Sequence, residues 1–231
     1  MKRFYKQAGV LPAAGGHGVT LDGKLVKTLG KRDLIVPSLA LAAAVAAEWE
    51  AQQGEIRREV MPLTRLAGTT IDRNAVEREA VVRQVAHYAG TDLVCYRATH
   101  PPALVARQVA VWQPLIEWAT ERYDAPLMVT TGVIPTSQPA ASLAAFTTVV
   151  ARHDDFSLTA LYTATAACGS LVIALALLEG RLDAREAFAA SQLDESFQIE
   201  TWGEDAEQAG RRAALAAEIG AAARFTSLLR G

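Results

Sequence analysis

The chain has 231 residues, enough for one large domain or two small ones. Hydrophobic residues reach 51% but aromatics only 6%, so alanine supplies much of the apolar content and closely packed helices are favoured over an aromatic-rich sandwich. With 23 basic and 25 acidic side chains and no block of like charge, the usual electrostatic footprint of a nucleic-acid binder is missing, and Cys95 and Cys168 lack CxxC spacing, which fits a reducing compartment.

Met1–Lys6 runs into polar and aromatic sequence without the apolar core of a signal peptide, so no targeting segment is expected. Val19–Val26 alternates around Asp22-Gly23, a strong hairpin signal because a type I′ turn needs positive φ at both central residues. The loop Gly15-Gly16-His17-Gly18 precedes it. Leu34–Val36 reads as a short strand stopped by Pro37. Ser38 can cap a helix carrying Leu41, Val45 and Trp49 on one face, with Gly54 ending it. On that face Trp49 is the expected structural anchor between the N-terminal sheet and its helix. Glu55–Val60 is expected to return as an edge strand.

From Met61 the pattern turns helical. Pro62 suits a first turn, and Leu63–Ile71 follows. Asn74 can cap a helix that sets Val81, Val85 and Tyr88 inward and pairs Glu79 with Arg83 outside. Asp92–Tyr96 reads equally as a short strand or a buried connector. Leu104–Tyr123 is helical, Gly132–Pro139 is loop, and further helices are expected up to a last one from about Ala206. Phe156–Leu178 carries no charge at all. Its polar dilution and acidic flanks make it a central buried helix, kinked near Gly169-Ser170, rather than a membrane span. These elements make an α+β fold, with a small N-terminal α+β domain over residues 1–60 (hairpin, short strands and a helix) and a larger all-helical orthogonal bundle over 61–231.

Chemistry-bearing motifs are sparse. Gly18-x-x-x-x-Gly23-Lys24 opens like a phosphate-binding P-loop, but Leu25 replaces the Ser or Thr that holds magnesium, and Asp22-Gly23 is a hairpin tip. His17, His87, His100 and His153 lie far apart, without metal-ligand spacing. No GxSxG elbow surrounds Ser170, and both cysteines read as small core hydrophobes. No catalytic residue, metal or cofactor is expected. Glu195, Gln198 and Trp202 fall along one helix face at 3.6 residues per turn. That stripe suits a catalytic pocket, a docking patch or a buried polar network; Asp205 lies just beyond it. A hydrolase with a carboxylate site near Glu195 and Asp205 is the alternative function.

Several strings together resemble one family. They are Arg3–Lys6, Leu21-Asp22-Gly23-Lys24-Leu25-Val26-Lys27-Thr28, Val36-Pro37-Ser38, Glu48-Trp49-x-x-Gln52 and Met61-Pro62-Leu63-Thr64. Later come Thr91-Asp92-Leu93-x-Cys95-Tyr96-Arg97, Trp112-x-Pro114-Leu115-x-x-Trp118 and Leu193-Asp194-Glu195-x-x-Gln198-x-x-x-Trp202-Gly203. In number, order and spacing they resemble the assembly chaperones of the F-type ATP synthase catalytic sector, specifically those of its alpha subunit. The resemblance implies a small α+β domain followed by a helical bundle, and binding rather than catalysis. It implies a client, the unassembled alpha subunit, kept from aggregating until the beta subunit replaces the chaperone. Glu195, Gln198, Trp202 and Asp205 are then the candidate client-binding residues. The chain starts at the first matching strand and reads as a bacterial cytoplasmic member, whereas eukaryotic relatives act in the mitochondrial matrix. A free monomer with no nucleic-acid partner and no stable membrane insertion is expected.

Overall fold

The computed structural model describes the whole chain except residues 75 and 133–135, with only the backbone of Asn74; its expected capping role lies outside the described residues. Contacts divide the chain into two compact units. One comprises Met1–Arg78, Asp155–Ala160 and Arg224–Gly231; the other comprises Glu79–Asp154 and Leu161–Ala223. The fold is α+β, as expected.

In the first unit, β1 (Ala8–Ala13) pairs antiparallel with β2 (Gly16–Leu21), and β2 pairs with β3 (Lys24–Leu25) and β4 (Ile35–Val36). The expected hairpin forms with Asp22 at φ 48° and Gly23 at φ 81°. Gly16–Gly18, expected as loop, belongs to β2 instead, because β1 supplies a partner that the sequence pattern did not reveal. Ser38 caps α1 (Leu39–Glu50) by accepting from the Leu41 amide, and Leu41, Val45 and Trp49 are all buried. The edge strand expected over Glu55–Val60 does not form. Glu55 makes one isolated bridge to Lys2, and Arg58–Val60 winds into a 3₁₀ turn. The turn leads into α2 (Pro62–Thr69), whose N-terminus has no cap of its own. Glu48, on α1, fills that role by accepting from the Leu63 and Thr64 amides, each at 2.8 Å.

In the second unit, α3 (Arg78–His87) buries Val81 and Val85 and pairs Glu79 with Arg83, as read from the sequence. The ambiguous Asp92–Tyr96 becomes a capped 3₁₀ turn over Leu93–Cys95, followed by β5 (Tyr96–Arg97). A parallel partner, β6 (Thr130–Thr131), meets it across α4 (Pro102–Tyr123). The chain continues through α5 (Ala140–Ala151) and α6 (Asp155–Cys168) to α7 (Leu171–Leu178). The uncharged stretch is therefore two helices rather than one kinked helix. Gly169 takes φ 64°, and Ser170 starts α7 afresh by accepting from the Ile173 amide. Every residue of α7 is buried, and α4 and α8 (Ala184–Ser191) pack against it. Among the described residues no helix is long and apolar enough to cross a membrane. Both cysteines lie in the core, where burial pushes each thiol up to about 12. Helices α9 (Leu193–Trp202) and α10 (Ala206–Leu229) complete the chain. In α10 the buried positions are Ile219, Ala221, Ala222, Phe225 and Thr226, while Leu215, Leu228 and Leu229 are only half-buried.

Candidate client-binding face

Helix α9 is short and buries only Leu193 fully, so polar contacts fix its orientation. Arg107 grips Glu200 with two hydrogen bonds of 2.7 and 2.9 Å and lies over the Phe197 ring. That guanidinium holds the Glu200 carboxyl below its usual range. Arg212 reaches Ser196 and Glu204. Leu193, Ser196, Phe197 and Glu200 therefore form the inward side of the helix. At 100° per residue the opposite side is occupied by Glu195, Gln198 and Trp202.

All three are exposed, and Trp202 is 78% exposed. Among the described residues Glu195 makes no side-chain hydrogen bond or ion pair. Asp205 is exposed beside them and caps α10, accepting from the Gln208 amide at 2.8 Å. The stripe is thus brought together on one outward face, with Asp205 at its end committed to a helix start.

The buried polar network exists, but it belongs to the neighbours of the stripe. Asp194 accepts from Gln108, and the Gln108 carbonyl accepts from Arg97 at 2.7 Å. The Gln108 side-chain oxygen accepts from the Ala98 amide. Arg97 lies over Trp112, whose indole donates to the Ala190 carbonyl. Arg97 and Gln108 are 6% and 1% exposed, and burial lowers the Arg97 pKa. This network ties β5, α4 and α9 together. Nothing in the helical periodicity around Gln108 marks it, since a buried glutamine on α4 is indistinguishable in sequence from an exposed one.

Trp49 is 6% exposed at the end of α1, with its carbonyl accepting from the Tyr5 hydroxyl at 2.6 Å and its ring edge-on to Tyr5. The P-loop-like string is occupied in β2, the Asp22-Gly23 turn and β3, and presents no helix N-terminus to a phosphate.

The profile of the family described as ATP12 chaperone protein matches residues 2–120. The chain belongs to the ATP12 chaperone family. The crystal structure of Atp12 from Paracoccus denitrificans superposes with a TM-score of 0.95 at 42% identity, over 99% of this chain and 98% of that one. A crystal structure of the Atu1473 protein of Agrobacterium tumefaciens gives a TM-score of 0.94 at 40% identity, over 99% and 86%. Protein atp12, mitochondrial, of Schizosaccharomyces pombe is 24% identical over 90% of this chain and 76% of its own length. Membership makes the chain an assembly chaperone rather than an enzyme, in line with the resemblance to ATP synthase assembly factors, and removes the hydrolase alternative.

Proposed function

We propose that the chain holds the unassembled alpha subunit of the F-type ATP synthase catalytic sector and passes it to the beta subunit. The observation that carries the client-facing part is the outward stripe of α9. An unpaired carboxylate, an amide and a largely exposed indole share one side of a helix pinned from the other. Exposed tryptophan is the aromatic anchor enriched at interface centres, and the carboxylate beside it suits the polar rim of such a patch. Glu195 would receive a lysine or arginine of the client, while Gln198 and Trp202 supply hydrogen bonding and apolar area. A subunit from a ring of alternating partners exposes a large obligate surface that aggregates when alone. Handover then needs only that the beta subunit bind the shared surface more tightly than the chaperone does. The same reading makes the chain a free monomer of the bacterial cytoplasm. Co-purification with isolated alpha and beta subunits tests it. Retention of alpha, and its displacement by beta without added nucleotide, is expected; retention of beta alone would overturn the assignment.

A further inference from the structure

From Asp194 to Glu218 no residue is buried, whereas Leu193 before this stretch and Ile219 after it are. The stretch holds α9 beyond its first residue, the connection through Gly203 and the first half of α10. Tertiary packing of an apolar face is what normally stabilises a helix, and one as short as the 10 residues of α9 is marginal alone in water. This segment therefore lies at the weakly held end of the second unit, with the fully buried α7 at the other. It is also the segment that carries Glu195, Gln198 and Trp202.

Polar tethers take the place of a core. Gln108 holds Asp194 at the root of α9. Arg212 binds Ser196 and Glu204, but it stands on α10, so these bonds tie the two helices of the segment to each other. Arg107 stands on α4, pairs with Glu200 at 2.7 and 2.9 Å and lies over Phe197, 5.3 Å from the ring. Among the described residues no other side-chain hydrogen bond or ion pair joins residues 195–217 to the rest of the unit. Both partners of the pair meet water, with side chains 39% and 56% exposed. An ion pair in that setting is screened by salt and stabilises only modestly. A single salt-sensitive link on a segment without a core is a latch, not a permanent joint.

We propose that α9 and the first half of α10 form an arm that opens independently of the bundle, and that Arg107 is the positioning residue that latches it in the orientation that meets the client. The inference rests on the client reading above only for what the stripe meets. Latching and opening belong to the free chain.

Hydrogen exchange read by mass spectrometry on the full-length chain tests the latch. Amides of residues 195–217 should share one opening equilibrium and, corrected for intrinsic rates, exchange about a hundredfold or more faster than those of α7. Arg107→Glu turns attraction into repulsion and should speed exchange in the arm on the order of tenfold, leaving α7 and the melting temperature nearly unchanged. Glu200→Arg should behave alike. Added salt should speed the arm in wild type. Capture of the alpha subunit should weaken as the latched fraction falls, severalfold for either variant. The double variant Arg107→Glu, Glu200→Arg remakes the pair and should restore both slow exchange and capture. Exchange in the arm as slow as in α7, or faster exchange everywhere alike, would overturn the proposal. So would a loosened arm that captures alpha as well as wild type does. A double variant that regains slow exchange but not capture would put Arg107 itself against the client and end its positioning role. Wild type that fails to capture alpha removes the client reading, and the exchange measurement still decides the latch.

Discussion

Asp92 is completely buried, accepting from the Val94 and Val172 amides, and burial outweighs those bonds to raise its carboxyl from 3.8 to about 6. Because the folded value is the higher one, the folded chain holds this proton longer as pH rises. The associated stability is complete below pH 3.8 and is lost as pH climbs through about 6, a change of about 3 kcal/mol. Asp92→Asn has no proton to lose and forfeits one acceptor, a constant offset. Measured by denaturant at several pH values, the variant should gain on wild type across that window and run parallel above it. Parallel curves throughout would mean that Asp92 does not titrate there. At Trp49 the expectation is a simple loss. Trp49→Arg exchanges a buried indole for an unpaired charge beside Tyr5 and should cost about 3 kcal/mol or more. An unchanged melting temperature would remove Trp49 as an anchor.

At the scale of elements, the break between α6 and α7 shows how local chemistry overrides an apolar run. Hydrophobicity alone would extend one helix through residues 156–178, but Gly169 turns left-handed and Ser170 restarts the helix. Ser170 is fully buried and bonded both to the Ile173 amide and to Asp92. Ser170→Ala should therefore cost about 2 kcal/mol, at the upper end for a lost cap. Combined with Asp92→Asn, the two losses should fall short of their sum, because both remove the same bond. Strict additivity in urea unfolding would show the cap and the carboxylate to be independent. The uncapped start of α2 follows the same logic from a distance, since Glu48 on another helix supplies the acceptor its own sequence lacks.

At the scale of the whole molecule, the proposed function divides into holding a client and letting it go. Among the described residues Glu195 has no partner to lose, so Glu195→Lys should shift the melting temperature by a degree or two at most, roughly 0.5 kcal/mol or less. It should nevertheless weaken capture of the alpha subunit, and added salt should weaken capture by wild type. Thermal stability and aggregation suppression measured on one sample separate these effects. A folded variant that protects alpha as well as wild type would remove Glu195 from the interface.

The sequence by itself determined what rests on neighbours in the chain. The type I′ turn at Asp22-Gly23, the Ser38 cap, the buried face of Leu41, Val45 and Trp49 and the Glu79–Arg83 pair depend on contacts within a few residues. The side-by-side placement of Glu195, Gln198 and Trp202 follows from helical periodicity alone. Which way that side faces does not. Only tertiary structure decided it, because Arg107, Glu200, Arg212 and the Asp194–Gln108–Arg97 network turn the opposite side inward. The same holds for strand β1, which raised Gly16–Gly18 from loop to strand, and for the residues around Glu55, which found one bridging partner instead of a ladder. The loop after β3 belongs here too, since Asp72, more than forty residues away in the chain, reaches across to the Thr28 hydroxyl and the Gly30 amide. Periodicity encodes which residues share a face, whereas burial depends on what the rest of the chain brings to it.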